Sequence, residues 1–176
     1  MKKFFNHFYT ISKHKIMVTI LLFKCGLYKQ GLLHDLSKYS WCEFSAGVRY
    51  FQGDRSPIDA EKEALGYSKG WLHHKGRNKH HWEYWLDNSS DGVIGIKVPL
   101  RYVLEMVCDR IVACKVYLKD SYTDTSAFEY WDKNKHKILM NEESFKLLET
   151  LLLYVKDNGL NSTIKYIKQI KNNIDY

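Results

Sequence analysis

The spacing of apolar residues is the strongest constraint on the fold, because along most of the chain it follows the period of an α-helix. Only two prolines, Pro57 and Pro99, occur among the 176 residues, and no low-complexity linker or internal repeat divides the chain. No stretch shows the alternation of apolar and polar residues that is typical of a strand. The sequence therefore predicts an all-α fold, with one domain of packed helices over residues 1–176.

The predicted helices lie between glycines, prolines and polar loops. Their approximate ranges are 4–25, 30–40, 43–51, 58–74, 79–86, 100–119, 126–138, 142–155 and 162–171, and residues 87–97 are predicted to be a loop. The stretch 43–51 would either continue the helix before it or form a short helix of its own. Gly26 is expected to end the first helix, and Asn141 and Asn161 are expected to cap the last two. Residues 10–120 would form the core that carries the functional residues, and the helices over 125–173 would pack against it.

Composition and charge restrict the classes of protein and partner. The hydrophobic content of 45% and aromatic content of 15% exclude a disordered chain, and the net charge of +7 favours anionic partners such as nucleotides or phosphate esters. The lysines are scattered rather than concentrated in a stripe, so nucleic acid is a less favoured partner. We predict a cytoplasmic protein with reduced cysteines and no membrane partner, because the longest apolar run, residues 16–23, is too short to cross a bilayer.

Several polar residues lie on helix faces that are otherwise apolar. His14 shares its face with Ile11, Met17 and Val18, and Asp109 shares its face with Met106 and Val112. His74 continues an apolar stripe in the same way. A buried histidine bonded to a carbonyl, or an aspartate paired with Arg101 or Arg110, would explain each case alone. Several such residues on different helices favour convergence on one site.

The segment GLLHDLSKYS places His34 and Asp35 directly after an apolar pair, Leu32 and Leu33. We expect the two leucines to pack so that His34 and Asp35 are buried. Lys38 follows His34 by four residues and would share its helix face, where its ammonium could hold a phosphate oxygen.

The segment WLHHKGRNKHHWEYW, residues 71–85, contains four histidines, two on each side of a glycine-containing turn. The spacing of apolar residues favours His74 over His73 and, more weakly, His81 over His80. Lys75 and Arg77, in the turn, could guide an anionic substrate. A cationic surface loop is the simpler alternative.

The order His14, His34-Asp35, His74, His81, Asp109 resembles the H…HD…H…H…D pattern of the HD superfamily of metal-dependent phosphohydrolases, over about residues 10–120. HDLSK resembles the HDxxK variant of that pattern. The chain is also similar to a small bacterial and phage group that carries GLxHDLSKYS and WLHHKGRNxHH. The resemblance implies an HD-type helical bundle in which His14, His34, Asp35 and Asp109 bind one divalent ion. It implies further that His74 and His81 bind or approach a second ion, with Asp35 as the bridge. The seven-residue separation of those two histidines is short for the pattern, so one ion and two ions are both open.

Ligands of this kind suit Mn, Fe, Co, Ni or Zn. The predicted function is hydrolysis of a phosphomonoester or phosphodiester, expected to be a small nucleotide, by metal-activated water. Asp35, Lys38 and His81 would carry the reaction, with His81 protonating the leaving oxygen, and Lys38, Lys75 and Arg77 would bind the phosphate. Glu105 would support a ligand. The alternatives are an HD-type di-iron oxygenase and a non-catalytic protein that binds a nucleotide or nucleic acid; the sequence does not predict the oligomeric state.

Overall fold

A computed structural model describes residues 1–90 and 92–172 and shows a mostly helical domain, which confirms the predicted all-α class. Its helices are α1 (Lys2–Lys24), α2 (Tyr28–Leu33), α3 (Trp41–Tyr50), α4 (Pro57–Leu65), α5 (Lys69–Lys75), α6 (Leu100–Leu118), α7 (Ser126–Asn134) and α8 (Glu142–Ile170). Short 3-10 turns lie at Leu36–Tyr39, Trp82–Trp85, Lys119–Ser121 and Lys135–Lys137. No helix in the described residues is both long and apolar enough to cross a membrane.

Helix α6 lies at the centre of the fold and packs against α1 and α8. Its residues from Val103 to Cys108 are all buried, and they meet Val18 and Leu22 of α1 and Leu148 and Leu152 of α8. Burial on several sides makes α6 an apolar helix in which any charged residue must have a partner. Glu105 and Asp109 are the acidic residues of α6, and both belong to the site described below.

The stretch predicted as one helix over 58–74 is two helices. Gly66 adopts a left-handed conformation with φ 78°, which ends α4 at Leu65. The Ser68 hydroxyl then begins α5 by accepting from the Trp71 backbone N–H at 2.9 Å and donating to Glu61 Oε2 at 2.5 Å. This break turns α5 so that its last residues, including His74, approach α3.

The prediction of no strand was wrong for the segment that follows the histidines. Strands β1 (Leu86–Ser89) and β2 (Gly92–Gly95) form an antiparallel hairpin within the stretch predicted to be a loop. Each strand has only four residues and is exposed except at Leu86 or Gly95, so it lacks the alternation of buried and exposed residues by which a strand is recognised in a sequence.

The last helices follow the prediction in number but not in both of their caps. Element α8 consists of two helices joined at Gly159, whose backbone is non-helical (φ 76°, ψ 165°), so the two predicted helices are confirmed. Asn141 caps its start, as predicted, by accepting from Ser144 N–H at 3.3 Å. The Asn161 cap was wrong, because Asp124 Oδ2 accepts from Leu160 N–H at 3.0 Å and satisfies the backbone after the kink. Residue 173, the predicted end of these helices, lies outside the described residues.

Gly47 allows α3 to pack closely on α1 and predicts a sharp effect of substitution. A Cβ at residue 47 would overlap the buried His7 imidazole. We therefore expect Gly47→Ala to lower the free energy of unfolding by about 1–3 kcal/mol, measured by urea denaturation. Gly76→Ala is the matched control, because its Cβ would have ordinary contacts of 3.5 Å or more. Equal stability of both variants would contradict the packing described here.

Candidate metal centre

The backbone leaves the helical conformation after α2, and this change of direction places His34 and Asp35 in the centre. Helix α2 ends at Leu33, His34 is extended (ψ 128°), and Asp35 is left-handed (φ 54°), a conformation that is costly for a residue other than glycine. The Asp35 carbonyl then accepts from Lys38 N–H at 3.0 Å and begins the 3-10 turn. The expectation that His34 and Lys38 share one helix face was wrong, because the chain changes direction between them.

Packing from other helices buries the dipeptide. Leu32 and Leu33 are 61% and 56% exposed, so the prediction that they cover His34 and Asp35 was wrong. Lys15, on α1, donates from Nζ to the Gly31 and Leu32 carbonyls at 2.9 Å, which satisfies the end of α2 and fixes it on α1. His34 and Asp35, at 2% and 1% exposure, thereby lie between α1 and α6.

Four predicted ligands form the first group of the centre. His14 Nε2 lies 2.9 Å from Asp109 Oδ1 and 3.5 Å from Asp35 Oδ2. His34 Nε2 lies 3.3 Å from Asp35 Oδ2 and 3.4 Å from Asp109 Oδ1. The four ligand atoms lie within 4.8 Å of one another, so one cation could contact them all.

A second group lies on the other side of the Asp35 carboxylate. Asp35 Oδ1 is 3.3 Å from His74 Nε2 and 3.2 Å from His80 Nε2. His81 Nε2 joins the group at 2.8 Å from His74 Nε2. These four residues again place their ligand atoms within 4.8 Å of one another. Because Oδ2 faces the first group and Oδ1 the second, Asp35 has the geometry of a carboxylate that bridges two cations.

Two further carboxylates orient the histidine rings. Glu105 Oε1 accepts from His34 Nδ1 at 2.8 Å and from His80 Nδ1 at 3.0 Å. Glu43 accepts from His74 Nδ1 at 2.7 Å and from His73 Nδ1 at 2.6 Å. A histidine that donates through Nδ1 has its Nε2 lone pair free for a cation, and this arrangement is common around metal ligands. Glu105 therefore has the supporting geometry that was predicted for it.

The buried polar atoms of the centre fit a bound cation. Histidine Nε2 atoms and both Asp35 oxygens are fully buried and yet lack a hydrogen bond of good geometry. The unsatisfied atoms of the centre are His14 Nε2, His34 Nε2, His80 Nε2, Asp35 Oδ1 and Asp35 Oδ2. Buried polar atoms of native proteins are rarely left in this state, and one divalent ion in each ligand group would satisfy all five.

The charges of the centre favour ionised carboxylates. Burial opposes the charge of Asp35, but His34, Lys38 and His74 hold its pKa well below the usual range. Burial likewise opposes the charge of Asp109, and hydrogen bonds from His14 and His34 keep its pKa well below the usual range. Two ionised carboxylates among imidazoles are the electrostatic environment that a divalent cation requires.

The predicted anion-binding residues lie in three different places. Lys38 Nζ contacts Asp35 Oδ2 at 2.5 Å and is therefore part of the centre. Lys75 lies near Glu83. Burial raises the pKa of the Glu83 carboxyl, and the positive charge of Lys75 opposes that rise. Arg77 is exposed and donates to the His73 carbonyl at 3.4 Å. A role in substrate binding stays a prediction for Lys75 and Arg77.

Two residues of the centre, His80 and Glu43, were not predicted well from the sequence. The sequence favoured His81 over His80 only weakly, and an extended backbone at His81 (ψ 130°) lets both adjacent rings face the centre. His73 faces Glu43 instead, as the preference for His74 implied. Glu43 was not singled out at all. The one signal for it is an acidic residue on the buried face of α3, one turn before Gly47.

Comparison with known families adds one finding. A family model described as "Family of unknown function (DUF5662)" matches residues 3–153. The chain belongs to this family. The matched region includes every residue of the centre. No curated protein and no solved structure gives a significant match.

The bridging geometry predicts the effect of single substitutions on metal content. We expect the protein loaded with Mn²⁺ to hold two ions per chain, measured by elemental analysis after desalting. His80→Ala should weaken the second ion by about 100-fold or more, since it removes a direct ligand of that group. His73→Ala is the control, because its ring lies outside both groups, and it should retain two ions. Equal losses in the two variants would contradict the assignment of His80.

Proposed function

We propose that the protein is a metal-dependent phosphohydrolase acting on a phosphomonoester or phosphodiester, expected to be a small nucleotide. The observation that carries the proposal is the Asp35 carboxylate, which faces a ligand group through each oxygen and contacts the Lys38 ammonium through one of them. The ligand order along the chain resembles the HD superfamily, and its members motivate the reaction class.

The accessible edge of the centre indicates where a substrate would approach. The His34, Asp35 and His80 side chains are at most 2% exposed, whereas Asp109 is 16% and Lys38 is 25% exposed. A pocket of about 80 Å³ opens beside Lys38 and His74. A phosphate that enters through this pocket would meet the Lys38 ammonium, which lines it.

A divalent ion bound here would supply Lewis-acid polarisation of a phosphoryl oxygen and would lower the pKa of a water molecule. The chain's own residues would do the rest. Burial opposes the charge of Lys38, but Asp35 and Asp109 raise its pKa above the usual range, so the ammonium stays charged and can stabilise negative charge on the phosphate.

The electrostatics change the role expected for His81. Burial holds the pKa of His81 well below its usual value. A neutral ring near pH 7 binds a cation or accepts a proton, and it does not suit the predicted protonation of the leaving oxygen. We therefore assign His81 to ion binding or proton acceptance in the proposed reaction.

A di-iron oxygenase is the second candidate, and the bridged pair of ligand groups is the observation that favours it. Mixed histidine and carboxylate ligands suit iron as well as manganese or cobalt. Two irons in the purified protein, with a colour that depends on iron and O₂, would support the oxygenase. Full hydrolytic activity with Mn²⁺ or Co²⁺ under anaerobic conditions would support the phosphohydrolase.

A nucleotide panel tests the hydrolase directly. Protein loaded with Mn²⁺ should hydrolyse at least one nucleotide mono- or diester, measured as released phosphate or nucleoside monophosphate. Asp35→Asn should abolish that activity and the bound metal, because asparagine tolerates the left-handed backbone but lacks the charge. Lys38→Met should retain metal and lower kcat/KM by about 100-fold, a magnitude typical for the loss of one stabilising donor.

Lys133→Met, an exposed substitution on α7, serves as the control and should keep full activity. Metal-loaded protein that hydrolyses no member of the panel would contradict the proposal. So would undiminished activity in Asp35→Asn.

A further inference from the structure

A second cleft opens on the His80 side of the metal centre, with a volume of about 440 Å³. It lies between α2, the turn after α5 and the start of α6. Four cationic residues line it, and we call it the basic cleft: Lys29, Arg77, Lys79 and Arg101. All four are exposed, so their charged groups can reach a ligand.

The charge of the basic cleft is not balanced by neighbouring carboxylates. Within residues 1–90 and 92–172, the lysines and arginines that form ion pairs are Lys38, Arg55, Lys97, Lys135 and Lys146, none of which lines the cleft. Glu105 is the carboxylate that lines it, and its Oε1 accepts from His34 and His80. Four cations around one concavity raise the local concentration of anions.

The basic cleft is separate from the edge at which a substrate would reach the centre. Its floor is formed by His80 and Glu105, which are 2% and 4% exposed. It shares no lining residue with the pocket beside Lys38 and His74. A ligand in the cleft would therefore be divided from the Asp35 carboxylate by the His80 ring and the Glu105 side chain.

The size and lining of the cleft favour a small molecule with several phosphates. Its volume lies in the range of roughly 300–1,000 Å³ that is usual for small-ligand sites. Tyr102 forms an aromatic wall, with the Arg101 guanidinium 5.0 Å and the Lys79 ammonium 5.9 Å from the ring centroid. An aromatic ring beside converging cations matches a nucleobase joined to a polyphosphate.

We propose that the basic cleft binds a nucleoside polyphosphate at a site distinct from the metal centre. The cations contact the phosphates, and Tyr102 contacts the base. The cleft adjoins the centre at Glu105, which accepts from the His34 and His80 rings. The binding does not depend on the proposed hydrolysis.

Calorimetric titration of the full chain with ATP in excess EDTA tests this site. EDTA removes divalent ions, so ATP cannot bind through a metal ion in the centre. We expect saturable binding of one ATP per chain that weakens as salt is raised. Tripolyphosphate should bind more weakly than ATP. Absence of ATP binding in EDTA would overturn the proposal, and so would tenfold tighter binding of a single-stranded oligonucleotide, which would identify the cleft as a nucleic-acid surface.

Charge reversal locates the binding. Lys29→Glu/Arg101→Glu should weaken ATP binding by about tenfold or more, because it replaces attraction with repulsion at two exposed positions. Lys133→Glu/Lys137→Glu makes the same change in net charge outside the cleft and should leave the affinity within about twofold. Circular dichroism of both variants confirms folding. Equal affinities for the two variants would overturn the assignment of the basic cleft.

Discussion

The Asp35 carboxylate is the group on which the rest of the site depends. It is 1% exposed and lies between two sets of histidines, and its backbone adopts the left-handed conformation that directs the side chain there. A buried carboxylate is costly unless charges or ions compensate it. Histidines from α1, α5 and the turn after α5, together with Lys38 from the turn before α3, supply that compensation at the Asp35 carboxylate.

The supporting carboxylates explain why so many histidines can be buried together. Glu105 and Glu43 each accept from two rings, which fixes the Nδ1–H tautomer and aims Nε2 atoms at Asp35. Glu105 is on the central helix, one turn before Asp109, so a single rigid element carries both a ligand and the support of two others. A cation bound at this point would therefore meet ligands whose positions are already fixed by hydrogen bonds within the fold.

The class of the fold and most residues of the centre could be predicted from the sequence. The physical reason for the fold class differs from the reason for the centre. Helical periodicity is a local property, and it gave α1, α6 and the all-α class. His14 and Asp109 were found because a polar residue on an apolar helix face is conspicuous. The residues that were missed or misplaced have positions that depend on irregular backbone. His80 faces the centre because the residue after it is extended, and Lys38 does not share a helix face with His34 because Asp35 between them is left-handed. Glu43 depends on the tertiary contact between α3 and α5, which no local pattern reports.

The claim that Asp35 bridges two cations is tested most directly by locating bound metal. Crystals grown with Mn²⁺ and measured at a wavelength where manganese scatters anomalously would show each ion as a peak. We predict two peaks about 3.5–4 Å apart, one beside His14, His34 and Asp109 and one beside His74, His80 and His81, with Asp35 between them. A single peak, or peaks only on surface carboxylates with Asp35 still bound to Lys38, would contradict the account.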